Sequence, residues 1–215
     1  MKNLKNSTKM IDKISPCVGI CELNPSEICV GCLRTKDEIS IWKKIDNEQK
    51  KSIYKNIKNK RDHFTGKLII KDQLKRKITI RYPINKIVSL VPSITQTLYD
   101  FGLESKVIGI TKFCPQGDEE KYKKICIGGT KNINIDKITQ IDPDIILSDQ
   151  EETPERIVKK ISLHMPIWLS RVTNMEYNIE FMYNLNEILP CTNKIYKHLM
   201  SIEDKIKSIK QIGKN

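Results

Sequence analysis

The stretch Ile84–Cys114 decides the fold of this chain: INKIVSLVPSITQTLYDFGLESKVIGITKFC. Within it, Ile87–Val91 is almost entirely apolar, which is typical of a strand buried on both faces of a sheet. Pro92 ends that strand, and Ser93 is predicted to be the N-cap of a helix that reaches Phe101. The glycine that follows the helix is a common C-terminal stop.

A second apolar strand, Val107–Ile110, follows this helix after a short connection. Strand, helix and strand with tight connections predict a βαβ unit, the seed of a parallel sheet in an α/β fold. Such sheets bind their ligands at the carboxyl ends of the strands. The first candidate ligand-binding residues are therefore Pro92, Ser93, Thr111, Lys112, Phe113 and Cys114.

The chain after Cys114 continues the alternation of strands and helices. The sequence predicts a strand at Cys126–Ile127, a helix at Ile135–Ile141, a strand at Asp144–Leu147, a helix beginning at Pro154 and a strand at Pro166–Leu169. A hairpin is predicted over residues 67–83, with its turn at Asp72–Lys75. From about Asn174 to Ile212 the pattern is mostly helical, with an interruption at Pro190.

A resemblance to the helical-backbone substrate-binding proteins is carried by three segments: IVSLVPSITQTLYDFGL, VIGITKFC and IGGTKNINIDKITQIDPDIIL. That family includes the cobalamin- and iron-siderophore-binding components of ABC importers. The resemblance begins at about Leu68, and it implies that the glycine pair after Cys126–Ile127 faces a ligand cleft. With the acidic loop after Asp144–Leu147, it extends the candidate ligand site to Gly128, Gly129, Thr130, Asp149 and Glu151.

In that family a long helix joins two lobes, and we expect the second lobe to be absent from this chain. A helix that lacks its second lobe is expected to expose an apolar stripe. The stripe would include Phe181, Leu185 and Ile188. The expected partner is then a separate chain that supplies the second lobe, or a second copy of this chain in a homodimer.

A different kind of site is predicted near the N-terminus by the arrangement CxxxC…CxxC, whose members are Cys17, Cys21, Cys29 and Cys32. Two close cysteine pairs on either side of a turn can bring four thiolates around one cation. A segment this small buries little surface, and metal binding supplies on the order of 10 kcal/mol of folding free energy. Structural zinc is the first interpretation, an iron–sulfur cluster is the second, and disulfides or idle thiols are the third.

The surrounding residues resemble a small bacterial domain family of unknown function that has been associated with iron–sulfur proteins. The matching motifs are Ser15-Pro16-Cys17, Cys29-Val30-Gly31-Cys32, Arg34-Thr35, Glu38-Ile39 and Trp42. Thr35 and Glu38 are predicted to form the capping box of one helix, and Asp46 to begin another. The apolar residues expected to face the metal site are Ile39, Trp42 and Ile45.

The formal net charge of +12 would by itself favour nucleic acid or an anionic membrane as a partner. Lysine greatly outnumbers arginine, so we interpret the charge as a solvated lysine-rich surface, and nucleic acid is disfavoured. No apolar run has the length of a membrane span or of a signal-peptide core. The expected location is the cytoplasm, where thiols stay reduced unless metal binds them.

The predicted organisation is a four-cysteine metal-binding domain at residues 1–64, an α/β lobe at 65–172 and a long backbone helix at 173–215. No P-loop, histidine-rich metal face or Ser/His/Asp set stands out, so the histidines are interpreted as ordinary surface or core residues. Cys126 and Cys191 are interpreted as core thiols. Cys114 is either a structural thiol or a contact to a metal-bearing cofactor.

The predicted function is a non-enzymatic binding protein for a metal-containing cofactor or chelate, of the cobalamin or iron-complex type. The first alternative is an iron–sulfur redox protein, or a shortened remnant in which the four-cysteine segment is the active part. The second alternative is a zinc-knuckle protein that binds nucleic acid.

Overall fold

A computed structural model describes residues 15–17, 20–189, 201–202 and 205 of the chain. The chain divides into two compact units between Ile70 and Lys71. Most of the predicted backbone helix after residue 189, together with Pro190, Cys191 and His198, lies outside the described residues.

The first unit contains the cysteine segment, helix α1 (Lys36–Ile41) and helix α2 (Asn47–His63). Both helices begin at capping boxes. In the first box, Thr35 Oγ1 accepts from the Glu38 N–H at 3.1 Å, and a Glu38 carboxylate oxygen accepts from the Thr35 N–H at 2.9 Å. Asp46 is the N-cap of α2, as the sequence predicts. The capping boxes satisfy backbone N–H groups that the first helical turn leaves without partners.

A two-stranded sheet of β1 (Gly66–Lys71) and β2 (Lys77–Tyr82) lies where the chain passes from one unit to the other. It is the predicted hairpin. Its turn is closed by a hydrogen bond from the Asp72 N–H to the Arg76 carbonyl oxygen at 3.2 Å.

The second unit is built on a five-stranded parallel sheet, which confirms the predicted α/β class. Its strands in chain order are β3 (Ile87–Ser89), β4 (Val107–Ile110), β5 (Ile125–Cys126), β8 (Ile145–Asp149) and β9 (Ile167–Ser170). Their spatial order is β5-β4-β3-β8-β9. Every residue of β3, β8 and β9 is buried, as the continuous apolar runs predict.

Four helices and a small hairpin connect and follow these strands in the described part of the second unit. The helices are α3 (Pro92–Asp100), α4 (Ile135–Ile141), α5 (Glu155–Ser162) and α6 (Met175–Ile188). The hairpin pairs β6 (Gly128–Gly129) with β7 (Asn132–Ile133). A short 3-10 turn, Glu104–Lys106, precedes β4.

The prediction that Ser93 is the N-cap of α3 is wrong. The N-cap is Val91, which makes no side-chain cap, and Pro92 is the first helical residue. Proline favours that position because its fixed φ suits the helix and its missing N–H would have had no helical partner. Helix α5 begins one residue later than predicted: Pro154 is the N-cap and Glu155 is the first helical residue.

The expected exposed stripe on the C-terminal helix is also contradicted. Phe181, Leu185 and Ile188 are 3%, 0% and 8% exposed. The Phe181 ring lies 5.8 Å from that of Trp168 in β9, so this face of α6 is covered by the chain's own residues. The expected chain that supplies a second lobe, or a second copy of this chain, stays a prediction.

A buried polar contact, which we call the Gln73 latch, holds the hairpin turn to the end of β9 and the start of α6. The Gln73 side chain donates to the Tyr177 carbonyl oxygen at 2.9 Å and accepts from the Arg171 N–H at 2.8 Å. The neighbouring Asp72 carboxylate, also buried, accepts from the Arg76 guanidinium at 2.7 Å. The latch fixes where the chain runs after the last strand of the sheet.

Candidate functional site

The parallel register brings the predicted ligand residues to one end of the sheet, which we call the carboxyl edge. Ser89 of β3 lies beside Ile110 of β4 and Leu147 of β8; β3 and β4 end there, and β8 continues to Asp149. The eleven candidates lie at the ends of the parallel strands or in the segments that directly follow them: Pro92, Ser93, Thr111, Lys112, Phe113, Cys114, Gly128, Gly129, Thr130, Asp149 and Glu151.

Three of these candidates are buried, and two of them, Thr111 and Cys114, form hydrogen bonds within the edge. The Thr111 hydroxyl lies 3.3 Å from the Leu90 carbonyl oxygen and 3.1 Å from Cys114 Sγ. Thr111 is 0% exposed and Cys114 is 4% exposed. The Thr95 hydroxyl adds a bond to Ser89 Oγ at 2.8 Å. The sequence shows that these hydroxyl groups are present. Only the structure shows that they form hydrogen bonds at the ends of β3 and β4.

The exposed part of the edge centres on Phe113, whose side chain is 63% exposed. Lys112 Nζ lies 4.7 Å from the Phe113 ring centroid. The Lys112 N–H donates to the Gly128 carbonyl oxygen at 2.8 Å, which joins the loop after β4 to the β6–β7 hairpin. A Cβ on Gly129 would lie 3.5 Å from Lys112 Cε and 3.8 Å from Phe113 Cε2, so this glycine lies beside both side chains.

The backbone conformation at position 128 requires a glycine. Its φ is +103°, and a Cβ there would collide with the Asn132 carbonyl oxygen. The position therefore requires glycine whether or not a ligand binds nearby.

At the end of β8, one acidic residue is buried and another is exposed. Asp149 is buried, and its carboxylate accepts hydrogen bonds from the Ser170 hydroxyl and, at 2.9 Å, from the Glu151 N–H. Glu151 itself is exposed. Burial and the nearby Asp149 charge raise the pKa of Glu152, in that order of importance. In the sheet, β3 separates β8, which is followed by these acidic residues, from β4, which is followed by Phe113.

The residues that follow β9 at the same edge were not among the predicted ligand residues. Val172 and Met175 are exposed apolar residues there, at 39% and 49%. The predicted strand at 166–169 was the available signal, because the carboxyl-end rule applies to it as to the others.

The N-terminal cysteines form two unlike pairs. Cys17 and Cys21 are exposed, and their sulfurs lie 3.9 Å apart. That distance is far from a disulfide bond of about 2.0 Å. It is close to the roughly 3.8 Å between two sulfurs on one tetrahedral zinc ion with Zn–S bonds of about 2.3 Å.

Cys29 and Cys32 are buried, each 2% exposed, and their sulfurs accept several hydrogen bonds. Burial alone would raise the pKa of Cys29, but the backbone N–H groups of Cys32 and Gly31 donate to its sulfur and bring the pKa below its usual value. For Cys32, burial raises the pKa and hydrogen bonds from Arg34 oppose the rise. Backbone donors of this kind stabilise a thiolate.

The two pairs adjoin, because the Cys21 backbone N–H also donates to Cys29 Sγ. No group of three or more His, Cys, Asp or Glu side chains converges closely enough to hold a metal ion anywhere in the described chain, which includes these four cysteines. Each pair suits a thiolate metal site by donor type, but a four-sulfur centre requires the pairs to approach more closely. The four-cysteine site therefore stays a prediction.

The burial of Cys126 and Trp42 differs. Cys126 is exposed, so its interpretation as a core thiol is wrong; β5, which contains it, is an edge strand. Trp42 is half-buried and packs edge-on against Tyr54, with the ring centroids 5.6 Å apart.

None of the helices that the structure describes has the length and apolar character that a membrane span requires.

Two family models match the chain. Residues 87–214 match the periplasmic binding protein family. Residues 15–61 match a family described as a protein of unknown function, DUF1289.

Curated relatives cover short parts of the chain. An uncharacterized ABC transporter substrate-binding lipoprotein of Bacillus subtilis, YvrC, is 36% identical over 81 residues, which are 38% of this chain and 25% of that protein. A vitamin B12-binding protein of Vibrio vulnificus is 30% identical over 79 residues, or 37% of this chain and 29% of that protein. The match therefore spans less than a third of either relative.

Solved structures share the fold at low identity. The catecholate-siderophore binding protein of Vibrio cholerae matches with a TM-score of 0.58 and 18% identity, covering 69% of this chain and 55% of that one. The vitamin B12 binding protein of the same organism matches with a TM-score of 0.53 and 20% identity, covering 60% of this chain and 51% of that one. The chain thus spans about half the length of these structures.

Proposed function

The chain belongs to the periplasmic binding protein family, and from this we propose that its second unit binds a metal-containing cofactor or chelate of the cobalamin or iron-complex type, without catalysis. The support is chemical and comparative. Relatives that share parts of the chain are named as vitamin B12-binding proteins, and structures that share the fold are named for vitamin B12 or siderophores.

The single observation that carries the proposal is the composition of the carboxyl edge. It combines an exposed aromatic ring, Phe113, with the half-buried Gly129 beside it and exposed apolar side chains at Val172 and Met175. Ligand sites are mostly apolar with a few placed polar groups, and here Lys112 and Glu151 supply opposite charges. A flat or bulky chelate is the ligand class that such an edge suits.

The test is a titration of the full chain with cobalamin and with a ferric siderophore, followed by calorimetry and visible absorption. Phe113→Ala should weaken binding about tenfold, because an exposed aromatic anchor contributes on the order of 1.4 kcal/mol. Leu163→Ala is the matched control, since Leu163 is 75% exposed and lies just before the amino end of β9. No heat and no spectral change with either ligand class would overturn the proposal.

For the first unit we propose that Cys17, Cys21, Cys29 and Cys32 hold one metal centre, with structural zinc first and an iron–sulfur cluster second. The support is the sulfur spacing of the exposed pair and the backbone donors to the buried pair. A bound ion would supply a tetrahedral crosslink between the pairs.

Metal analysis of the purified chain tests this site. Zinc at one per chain in colourless protein supports the structural ion, whereas brown protein with visible absorption supports the cluster. Cys29→Ser should remove the metal, while Cys126→Ser, at an exposed cysteine in the second unit, should leave it in place. Metal content below one tenth per chain in wild-type protein would contradict the proposal.

We also propose the cytoplasm as the location. The support is that no disulfide bond joins any of the six described cysteines, which is typical of a reducing compartment. Cell fractionation checks it: the chain should appear with cytosolic markers, and recovery by osmotic shock would overturn the proposal.

A further inference from the structure

A four-residue turn that begins at Thr111 and ends at Cys114 presents the exposed ring of Phe113. The Cys114 N–H donates to the Thr111 carbonyl oxygen at 3.0 Å, which closes the turn through the backbone. The two central residues, Lys112 and Phe113, are exposed. The two end residues, Thr111 and Cys114, are 0% and 4% exposed. The turn therefore has buried ends and an exposed tip.

A second contact, which we call the Thr111–Cys114 clasp, closes the same turn through side chains. The Thr111 hydroxyl oxygen lies 3.1 Å from Cys114 Sγ. A hydroxyl group has only one proton to donate, and the Thr111 hydroxyl donates to the Leu90 carbonyl oxygen at 3.3 Å. The Cys114 thiol is therefore the donor within the clasp, and the Thr111 oxygen is the acceptor.

The clasp also joins the turn to the end of the neighbouring strand β3. Leu90, which accepts the Thr111 proton, directly follows this strand. Cys114 Sγ lies 3.9 Å from the carbonyl oxygen of Ser89, the last residue of β3. Both buried ends of the turn thus contact the backbone beside them. Because Cys114 is covered, its effect on a bound ligand must act through the exposed residues of the turn.

We propose that Thr111 and Cys114 are positioning residues for ligand binding: their clasp fixes the turn that presents the Phe113 ring at the carboxyl edge. This rests on the proposed function of the second unit. A loop that must be ordered when a ligand binds lowers the affinity, and a turn that is already fixed avoids that loss. Cys114 therefore has an indirect role and does not contact a metal-bearing cofactor.

The experiment measures the affinity of the full chain for cobalamin and for a ferric siderophore by calorimetry. Thr111→Val keeps the shape of the side chain and removes the hydroxyl, so binding should be about three- to fivefold weaker. Thr111→Ser keeps the hydroxyl and should restore most of the affinity. The matched control is Thr139→Val, because Thr139 is exposed on α4 and its hydroxyl bonds only within that helix, to the Ile135 carbonyl oxygen at 3.0 Å. Its affinity should equal that of wild type.

A double-mutant cycle with Phe113→Ala separates positioning from a general structural effect. If the clasp acts through the Phe113 ring, Thr111→Val should weaken binding no further once that ring has been removed. A general structural effect would weaken binding by the same factor with and without the ring. Equal factors in the two backgrounds would therefore overturn the inference.

The outcomes distinguish this inference from the proposed function. If the wild-type chain binds neither ligand, the proposed function fails and the positioning role fails with it. If the wild-type chain binds a ligand and Thr111→Val binds it equally well, only the positioning role is overturned. Cys114→Ala covers the case in which Thr111→Val does not fold, because it removes the other member of the clasp. Wild-type affinity in Cys114→Ala would count against the inference in the same way.

Discussion

Tyr99 shows how one side chain organises a loop at the carboxyl edge. Its hydroxyl donates to the Pro115 carbonyl oxygen at 3.0 Å, directly after the turn that ends at Cys114. Lys124 Nζ lies 5.6 Å from the Tyr99 ring and donates to the Glu104 carbonyl oxygen at 2.7 Å. Residues from both ends of the connection between β4 and β5 therefore meet at one ring, which stabilises the loop that presents Phe113.

The ionisation of Tyr99 predicts a loss of stability at alkaline pH. Burial, assisted by the charge of Glu104, raises the pKa of Tyr99 to about 12 from its ordinary value of 10.0. Between these values the folded chain holds a proton that the unfolded chain releases, so the contribution of Tyr99 is complete below pH 10 and is lost as pH rises towards 12. Urea unfolding across this range should show a steeper decline for wild type than for Tyr99→Phe. Equal slopes in the two proteins would contradict the assignment.

At the scale of elements, the Gln73 latch holds the segment in which α6 begins. Asn174 is the N-cap of this helix, and the latch joins the hairpin turn to the backbone of Arg171 and Tyr177, on either side of that cap. The hairpin, β9 and α6 are thereby held by groups that are far apart in the chain. The same contact fixes the position of the exposed residues Val172 and Met175 at the carboxyl edge.

Removal of the latch should destabilise the second unit. Gln73→Ala leaves the Arg171 N–H and the Tyr177 carbonyl oxygen without their side-chain partner, and we expect a loss of about 1–3 kcal/mol in the free energy of unfolding. Gln140→Ala is the matched control, because Gln140 is exposed on α4. Urea unfolding of the three proteins gives the comparison, and a change below about 0.5 kcal/mol in Gln73→Ala would show that the latch is not stabilising.

For the whole molecule, the two tryptophans provide one fluorescent reporter in each unit. Trp42 belongs to the first unit and is half-buried, whereas Trp168 belongs to the second and is fully buried. The first unit has the six-residue helix α1, the 17-residue helix α2 and a cysteine segment that is held largely by turns. With the proposed metal site, the folding of the cysteine segment should depend on metal. The second unit has a buried parallel sheet and a conventional apolar core.

A chelator should therefore affect the two reporters differently, provided that the metal proposal holds. In Trp168→Phe, where Trp42 is the reporter, treatment with a strong chelator should abolish or greatly lower the thermal transition, because metal supplies on the order of 10 kcal/mol. In Trp42→Phe, where Trp168 is the reporter, the midpoint should change little. A chelator effect of equal size on both reporters would refute this difference in metal dependence.

The sequence by itself determined the elements whose signals are local. The apolar runs of β3, β4 and β8, the capping box at Thr35 and the hairpin turn at Asp72 were all predictable, because period, caps and turn residues act over a few positions. The carboxyl-end rule likewise placed the candidate ligand residues in loops that do finish at one edge.

Only the tertiary structure decided which side chains are covered and which polar groups meet. It buried Phe181 against Trp168, left Cys126 exposed on an edge strand and set Arg34 against Cys32. It also joined Gln73 to residues about a hundred positions away in the chain. Burial and hydrogen bonding between distant residues depend on how helices and strands pack against one another. The hydrophobic pattern within one segment does not identify the segments that will pack against it.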